Sequence, residues 1–282
     1  IAAADVGLRE FHHDVILLAG GNFMTMSRSY RELISEDGKA EIVCSDTIAE
    51  ISPEGSLVWT WDSFDHLDPE RIIEGPDLAN YPVLHPDTGE EVRDWTHANA
   101  LVYREDDQSI LLSLRHQNWL ILIDHSSGSV LWKLGAQGDF DLSTGEAWFY
   151  HQHAPEWQED GSLLIYDNGI NVPDVDLTDW RSRAVQYSVD ETLWTATEVW
   201  TEGDMDYNSL VAGDADRLPN GNIQVVDGTL PFDADQFFPT QSRIREVDPE
   251  TGDWMWWLDG PDFQFIYRAT ATDRLPGESA SD

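Results

Sequence analysis

Leu218-Pro219-Asn220-Gly221-Asn222-Ile223-Gln224-Val225-Val226 joins a tight turn to an apolar strand. Asn-Gly beside an apolar run is a strong local signal for an antiparallel hairpin. Upstream of it, Gly213-Asp214 opens a short first strand. Downstream, Ile244-Arg245-Glu246-Val247-Asp248 and Trp254-Met255-Trp256-Trp257 supply a third and a fourth. The same grammar occurs three times earlier in the chain. One unit runs from His13 through Asp14–Leu18, the turn Gly20-Gly21-Asn22, Phe23–Met26, Thr47–Ile51 and Leu57–Trp61. A second runs from His97 through Ile110–Leu114, Leu120–Asp124 and Val130–Trp132. A third runs from His153 through Gly161–Tyr166, Ala184–Tyr187 and Glu198–Trp200. Four short strands per unit, restarted four times, predict an all-β chain built as a β-propeller. A β-sandwich would not explain the restarts. The expected organisation is one propeller domain over 1–282, with units at about 11–62, 94–135, 148–203 and 209–260. Insertions at about Phe64–Arg93 and Ile170–Trp180 interrupt the spacing, and long loops on one propeller face commonly shape a site.

The chain has 282 residues, 54 acidic and 16 basic side chains, and a formal net charge of −38. That charge excludes a nucleic-acid footprint and an anionic membrane surface as partners. It does not imply disorder, because 41% of residues are hydrophobic and thirteen are tryptophan. Lys39 and Lys133 are the only lysines. Acidic excess with almost no lysine looks like the salt-adapted proteins of halophilic archaea, where molar salt screens the self-repulsion. Cys44 is the single cysteine, so no internal disulfide is available. No apolar run approaches the ~20 residues of a membrane span.

The first strand of a propeller blade lines the central channel, so equivalent positions converge on one axis. His13 lies eight residues before Gly21, His153 lies eight before Gly161, and His97 lies ten before Asp107. Gly213, beside Asp214, takes that slot in the fourth unit. One such histidine is ordinarily a hydrogen-bonded structural residue; three at one repeat slot point to a site. Arg115 follows the second strand of its unit, and Arg28 stands at the same count in the first. An arginine there can simply pair with a carboxylate. At a channel mouth its planar guanidinium suits a tetrahedral oxyanion. His151-Gln152-His153 carries a metal alternative: residues i and i+2 on a strand share a face, so two imidazoles can chelate zinc, with His97 or Asp14 as third ligand. The spacing of known zinc signatures is absent.

Several stretches resemble one family. They are Phe11-His12-His13-Asp14-Val15, Asp94-Trp95-Thr96-His97-Ala98-Asn99, and Ser109–Gln117 with its Arg115-His116-Gln117 ending. Further on come Gln152-His153-Ala154, Asp167-Asn168-Gly169, Arg181–Tyr187 and Tyr267-Arg268-Ala269. Together they are similar to the bacterial and archaeal arylsulfate sulfotransferases that work without the nucleotide sulfate donor. The resemblance implies a six-bladed propeller with its site in the channel, no cofactor, an aryl sulfate donor and a phenol acceptor. It implies ping-pong transfer through a sulfohistidine. On that resemblance His153 is the nucleophile, and His97, Arg115 and His13 complete the catalytic set, with His13 favoured over His12. Asn99, His12, His116, His151 and Tyr267 are the expected substrate-binding residues, with Tyr267 or a channel tryptophan stacking on the aryl ring.

The chain also departs from the family. Counted against six blades it is short by about two, and it opens at Ile1 just upstream of a unit, so early blades are expected to be missing. An incomplete ring exposes two blade edges, an aggregation liability that a homo-oligomer or another partner would cover. Family members are often exported, but no signal peptide is visible here. Two other functions remain open at this point: a non-catalytic propeller binding small anions or protein partners, and the histidine-ligated metalloprotein.

Overall fold

The computed structural model describes residues 1–34, 38–71, 73, 83–144, 147–202, 207–231 and 239–272. Part of the insertion at about Phe64–Arg93 lies outside them, as does residue 203 at the end of the third expected unit.

Four sheets carry the described residues, and the fold is all-β and propeller-like. In the first sheet, β1 (Phe11–Leu17), β2 (Phe23–Ile34), β3 (Ala40–Ile51) and β4 (Leu57–Asp62) pair antiparallel in chain order. The second holds β7 (Ala98–Arg104), β8 (Ser109–Leu114), β9 (Trp119–Asp124) and β10 (Val130–Gly135). The third holds β12 (His153–Trp157), β13 (Leu163–Asp167), β14 (Arg183–Asp190) and β15 (Thr195–Thr201). The fourth holds β16 (Asp214–Arg217), β17 (Ile223–Pro231), β18 (Pro239–Val247) and β19 (Trp254–Asp259).

The repeat does not foretell the additions. β5 (Val83–Leu84) and β6 (Glu91–Asp94) form a hairpin, and β6 runs parallel to β3 where Val43 and Cys44 face Arg93 and Asp94. This pairing fixes Asp94 three residues before His97. β11 (Asp141–Thr144) lies parallel on the outer edge of β15.

Alternation sorts the core between sheets. Leu112 and Leu114 pack with Met24, Met26 and Ile48 of the first sheet. Leu111 points the other way, toward Leu163, Ile165 and Val185 of the third. Both faces of β8 are therefore covered, and the strand is buried along its whole length. A strand covered on two sides reads as a continuous apolar run. Leu164 and Tyr166 then meet Val225 and Val247 of the fourth sheet.

The innermost strands β1, β7, β12 and β16 are neighbours in that order. The Leu101 N–H donates to Asp14 Oδ2, Asn99 Nδ2 to the Gln152 carbonyl, and the Arg217 N–H to Glu156 Oε2. Ile266–Ala269 then lies along the fourth sheet. The Gly213 N–H donates to the Tyr267 carbonyl and Gln224 Nε2 to the Ala269 carbonyl. Arg268 reaches across to Asp14 at 3.3 Å. Among the described residues no helix is long and apolar enough to cross a membrane.

Candidate active site

The head of each inner strand is kinked. His13, His97, Ala154 and Ala212 have φ of 57°, 48°, 44° and 59°, in the left-handed region. The ladders shift register at His12/Val15, Ala98/Ala100 and His153/Glu156. Each non-glycine residue held there costs about 1–3 kcal/mol, and bulges of this kind re-aim side chains. Histidines stand at or beside three of the four heads: His13, His97 and His153. At the fourth, a side chain on Gly213 would run into the Tyr166 ring, so that slot has no room for a histidine.

The rings form a connected belt. His12 and His13 have centroids 5.0 Å apart, His13 and His97 5.1 Å, His97 and His116 4.5 Å, and His116 and His151 5.9 Å. Tyr267 lies 5.8 Å from His13 and 6.1 Å from His153, and so stands between them. Its hydroxyl donates to the Asn99 carbonyl at 3.1 Å. That bond spans most of the chain and brings the C-terminal strap into the site. Tyr267 offers a ring wall beside His153; Trp95 packs instead on Phe64 and Trp61 on His66.

His153 is buried, and its Nδ1 lies 2.6 Å from Asn168 Oδ1. Asn168 Nδ2 donates to the carbonyls of Ser209 and Ala212, so its oxygen must face the histidine. His153 Nδ1 therefore carries the hydrogen, and Nε2 holds the free lone pair. Burial, then the Arg115 charge, lowers the His153 pKa well below 6.5, which keeps the ring neutral. Gln152 anchors the strand head by donating to Ser113 Oγ and to the carbonyls of Leu114 and Trp119.

Arg115 sits on the short turn after β8 and is 1% exposed, although its charge needs compensation. Its Nη1 donates to His116 Nε2 at 2.7 Å, and its Nη2 to the Leu210 carbonyl. His116 Nδ1 donates in turn to the Asp94 carbonyl at 2.8 Å. Burial first, then His97, push the His116 pKa down to about 3, as suits a neutral ring accepting from a guanidinium. Arg28, at the same count in the first unit, differs: it lies on β2 and pairs with Glu10 at 3.1 Å.

His97 Nδ1 lies 2.5 Å from Asp94 Oδ2. Burial alone would raise the Asp94 carboxyl; the charge and hydrogen bond of His97, with His116 and Arg28, together outweigh it and hold the group well below the usual carboxylate range. Asn99 is fully buried, with its Oδ1 lacking a hydrogen-bond partner among the described residues. His13 is exposed on one side; desolvation of the rest of the ring first, then His97, push its pKa down to about 3.

The pairing of His151 and His153 as zinc ligands on one strand face does not hold. β12 begins at His153, and His151 precedes it with φ of 57°, so strand alternation does not relate the two. His151 Nε2 instead accepts from Asn171 Nδ2 at 3.1 Å. Among the described residues, Asp94, His97 and His116 are the group of three whose donor atoms lie within 4.8 Å of one another. Those atoms already bond to each other and to the Asp94 backbone.

The nine residues expected in the site thus lie in one network of ring contacts and hydrogen bonds. Sequence reasoning missed the partners behind the histidines: Asp94, Asp46 and Asn168, and the donor Asn171. Asp94 and Asn168 stood inside quoted stretches, and nothing local marked Asp46 or Asn171. Further along the inner strands lies a cavity of about 400 Å³, lined by Asp14, Glu156, Asp214, Asp216, Arg217 and Arg268 among others.

The family model described as Arylsulfotransferase (ASST) matches residues 3–268. Two curated relatives are both called arylsulfate sulfotransferase AssT. The one from Escherichia coli O6:H1 is 27% identical over 282 aligned residues, covering 77% of this chain and 45% of its own length. The one from Lelliottia amnigena is 27% identical over 312, covering 88% and 50%. The chain spans about half the length of the curated relatives it matches. A solved structure of a protein of unknown function from Bacteroides caccae has TM-score 0.44 and 13% identity, covering 90% of this chain and 82% of that one. That likeness is too loose to carry an argument.

Proposed function

The chain belongs to the arylsulfotransferase family, and from that premise we propose that it transfers a sulfuryl group from a phenolic sulfate ester to a phenolic acceptor through His153. The observation that carries the reading is the Asn168–His153 hydrogen bond, which leaves a neutral imidazole with its Nε2 lone pair free. In the first half-reaction that lone pair attacks sulfur, the sulfur–oxygen bond to the aryl group breaks, and a sulfohistidine forms. In the second, a phenol oxygen takes the sulfuryl group and frees Nε2. Two half-reactions through one covalent enzyme give ping-pong kinetics.

Sulfuryl transfer, like phosphoryl transfer, spreads negative charge over peripheral oxygens, so catalysis is mostly positioning and charge. Arg115 and His97 are the donors for those oxygens; one such donor is commonly worth about 10²–10³-fold in rate. Asn99 ties the head of β7 to the residue before the nucleophile. Tyr267 walls the space between His153 and His13 and supplies a face for the aryl ring.

The test is incubation with a chromogenic aryl sulfate and a phenol in high salt, followed by mass spectrometry of the peptide carrying His153. Phenol release and a sulfuryl adduct on His153 are expected. Neither appearing would sink the reading. A second reading is a propeller of this family that binds small anions or a protein partner without turnover. It is favoured by the exposed Met255, Trp256, Trp257 and Leu258 on β19. In that case His153→Ala leaves sulfate affinity intact.

A further inference from the structure

Behind His13 stands a chain of titratable groups that the sulfuryl transfer itself does not use. His13 Nδ1 lies 2.8 Å from His12 Nδ1, and His12 Nε2 lies 3.2 Å from Asp46 Oδ1. Asp46 is buried on β3, where the Thr96 hydroxyl and the Ala98 N–H both donate to its Oδ2, at 2.5 and 2.6 Å. Two Nδ1 atoms that close share one proton, one ring donating and the other accepting. The remaining neighbours of His13 are the rings of His97 and Tyr267 and the Arg28 charge. His97 differs: its Nδ1 meets a carboxylate directly, without an imidazole between them.

We propose that Asp46, His12 and His13 form a proton relay in which His13 serves the aryl oxygen and His12 resupplies His13. The proposal rests on the sulfuryl-transfer reading above. In the loaded state His12 is an imidazolium paired with Asp46, its Nδ1–H is donated to His13 Nδ1, and His13 carries a hydrogen on Nε2. When the donor's sulfur–oxygen bond breaks, the electron pair stays on the aryl oxygen. That oxygen takes the Nε2 proton of His13, and the shared proton passes from His12 Nδ1 to His13 Nδ1. Both imidazoles end neutral and the product leaves as a phenol. The acceptor half-reaction runs backward: the phenol gives its proton to His13 Nε2, and His12 regains one on Nδ1. No further reactant is needed.

The electrostatics agree with this arrangement. Desolvation and His97 together disfavour an imidazolium at His13, so this ring can release a proton only as its other nitrogen is refilled. Burial alone would raise the Asp46 carboxyl; the adjacent His12, 3.2 Å away, and the donating Thr96 hydroxyl hold it below the usual carboxylate range. His12 and Asp46 act through His13 and are positioning residues.

The experiment compares the unmodified protein with His12→Gln and Asp46→Asn on phenyl sulfate and para-nitrophenyl sulfate. General acid catalysis is worth about 10²–10⁴-fold and matters least where the leaving phenolate is already stable. Each variant is expected to lose about 100-fold or more on phenyl sulfate and less than about 10-fold on the nitrophenyl ester. An equal loss on both esters, or no loss on either, overturns the relay and leaves the transfer standing. Proton NMR of the resting protein supplies a readout that needs no turnover. A low-field signal from the proton shared by the two Nδ1 atoms is expected, and it should vanish in His12→Gln while the fold is kept. Its absence from the unmodified protein overturns the relay whatever the activity. If the signal is present and every aryl sulfate is inert, the transfer reading fails and the relay's catalytic role fails with it.

Discussion

Asn168 holds His153 in a single tautomer: its own amide hydrogens go to two backbone carbonyls, so its oxygen accepts from His153 Nδ1 at 2.6 Å. Replacing Asn168 with Ala removes that lock and frees Nδ1 to compete with Nε2. Partners that orient a reacting imidazole are commonly worth about 10–100-fold in activity. Asn168→Ala is expected to lower kcat by that factor, with a smaller change in KM, in steady-state assays on an aryl sulfate. An unchanged kcat would remove Asn168 from the mechanism.

The acid limb of activity should reflect the lowered His153 pKa. Burial and Arg115 depress it well below 6.5, so the neutral form persists as pH falls through that value. In a pH–rate profile on para-nitrophenyl sulfate, the limb due to His153 is expected well below pH 6.5. A limb near ~6.5, the value for an unperturbed imidazole, would mean that the nucleophile is not this buried ring.

Arg245 is fully buried and joins Glu202, at 2.8 and 2.6 Å, to Asp227. Asp227 also accepts from the hydroxyls of Tyr166 and Tyr207. Removing the guanidinium strands two buried carboxylates. Arg245→Met is expected to cost about 3–5 kcal/mol in chemical denaturation. Charge-removing changes at both Glu202 and Asp227 should recover part of that loss.

Asp214, buried on β16, has its carboxyl pushed up to about 8, by burial first and by Asp216 second. Asp216 is raised to about 6, by burial and then by Glu156. Between about pH 4 and pH 8 the folded chain keeps a proton on Asp214 that the unfolded chain releases. Stability from this group therefore falls as pH rises through that window. Asp214→Asn should gain on the unmodified protein between about pH 5 and about pH 8, read as urea midpoints at constant salt. A constant difference between the two would contradict the raised carboxyl.

The net charge of −38 predicts a steep dependence on salt. Screening shortens the reach of repulsion from ~10 Å at 0.1 M to ~3 Å at 1 M. Thermal midpoints are expected to climb between those concentrations of potassium chloride. A flat response would show that the acidic shell does not strain the fold.

Much of the fold was legible because strand signals are local. Ile110–Leu114 and Leu120–Asp124 read as strands from composition alone, and β8 and β9 lie there. Phe23–Met26 carries the apolar signature of a short strand, whereas β2 continues to Ile34. Its polar extension pairs with the first half of β3, and that pairing leaves no apolar signature. The parallel contact of β6 with β3 escaped for a similar reason: Arg93 and Asp94 find Val43 and Cys44 across a long insertion. At the site, the histidines were legible as a repeat. Their partners were not, since Asp46 and Asn171 occupy no repeat slot and act only through contacts made on folding.

The amino-acid order alone sets the all-β class, the four strand-rich units, the acidic coat and the residue types gathered at the site. These follow from composition and short-range pattern, which need no knowledge of the fold. Packing of the sheets settles which nitrogen of His153 is free, which carboxylate stands behind each of His97 and His12, and that Tyr267 enters from the far end of the chain. A tautomer and a proton path depend on partners a few ångströms away in space and tens to hundreds of residues away in sequence. Distances of that kind exist only once the sheets have packed.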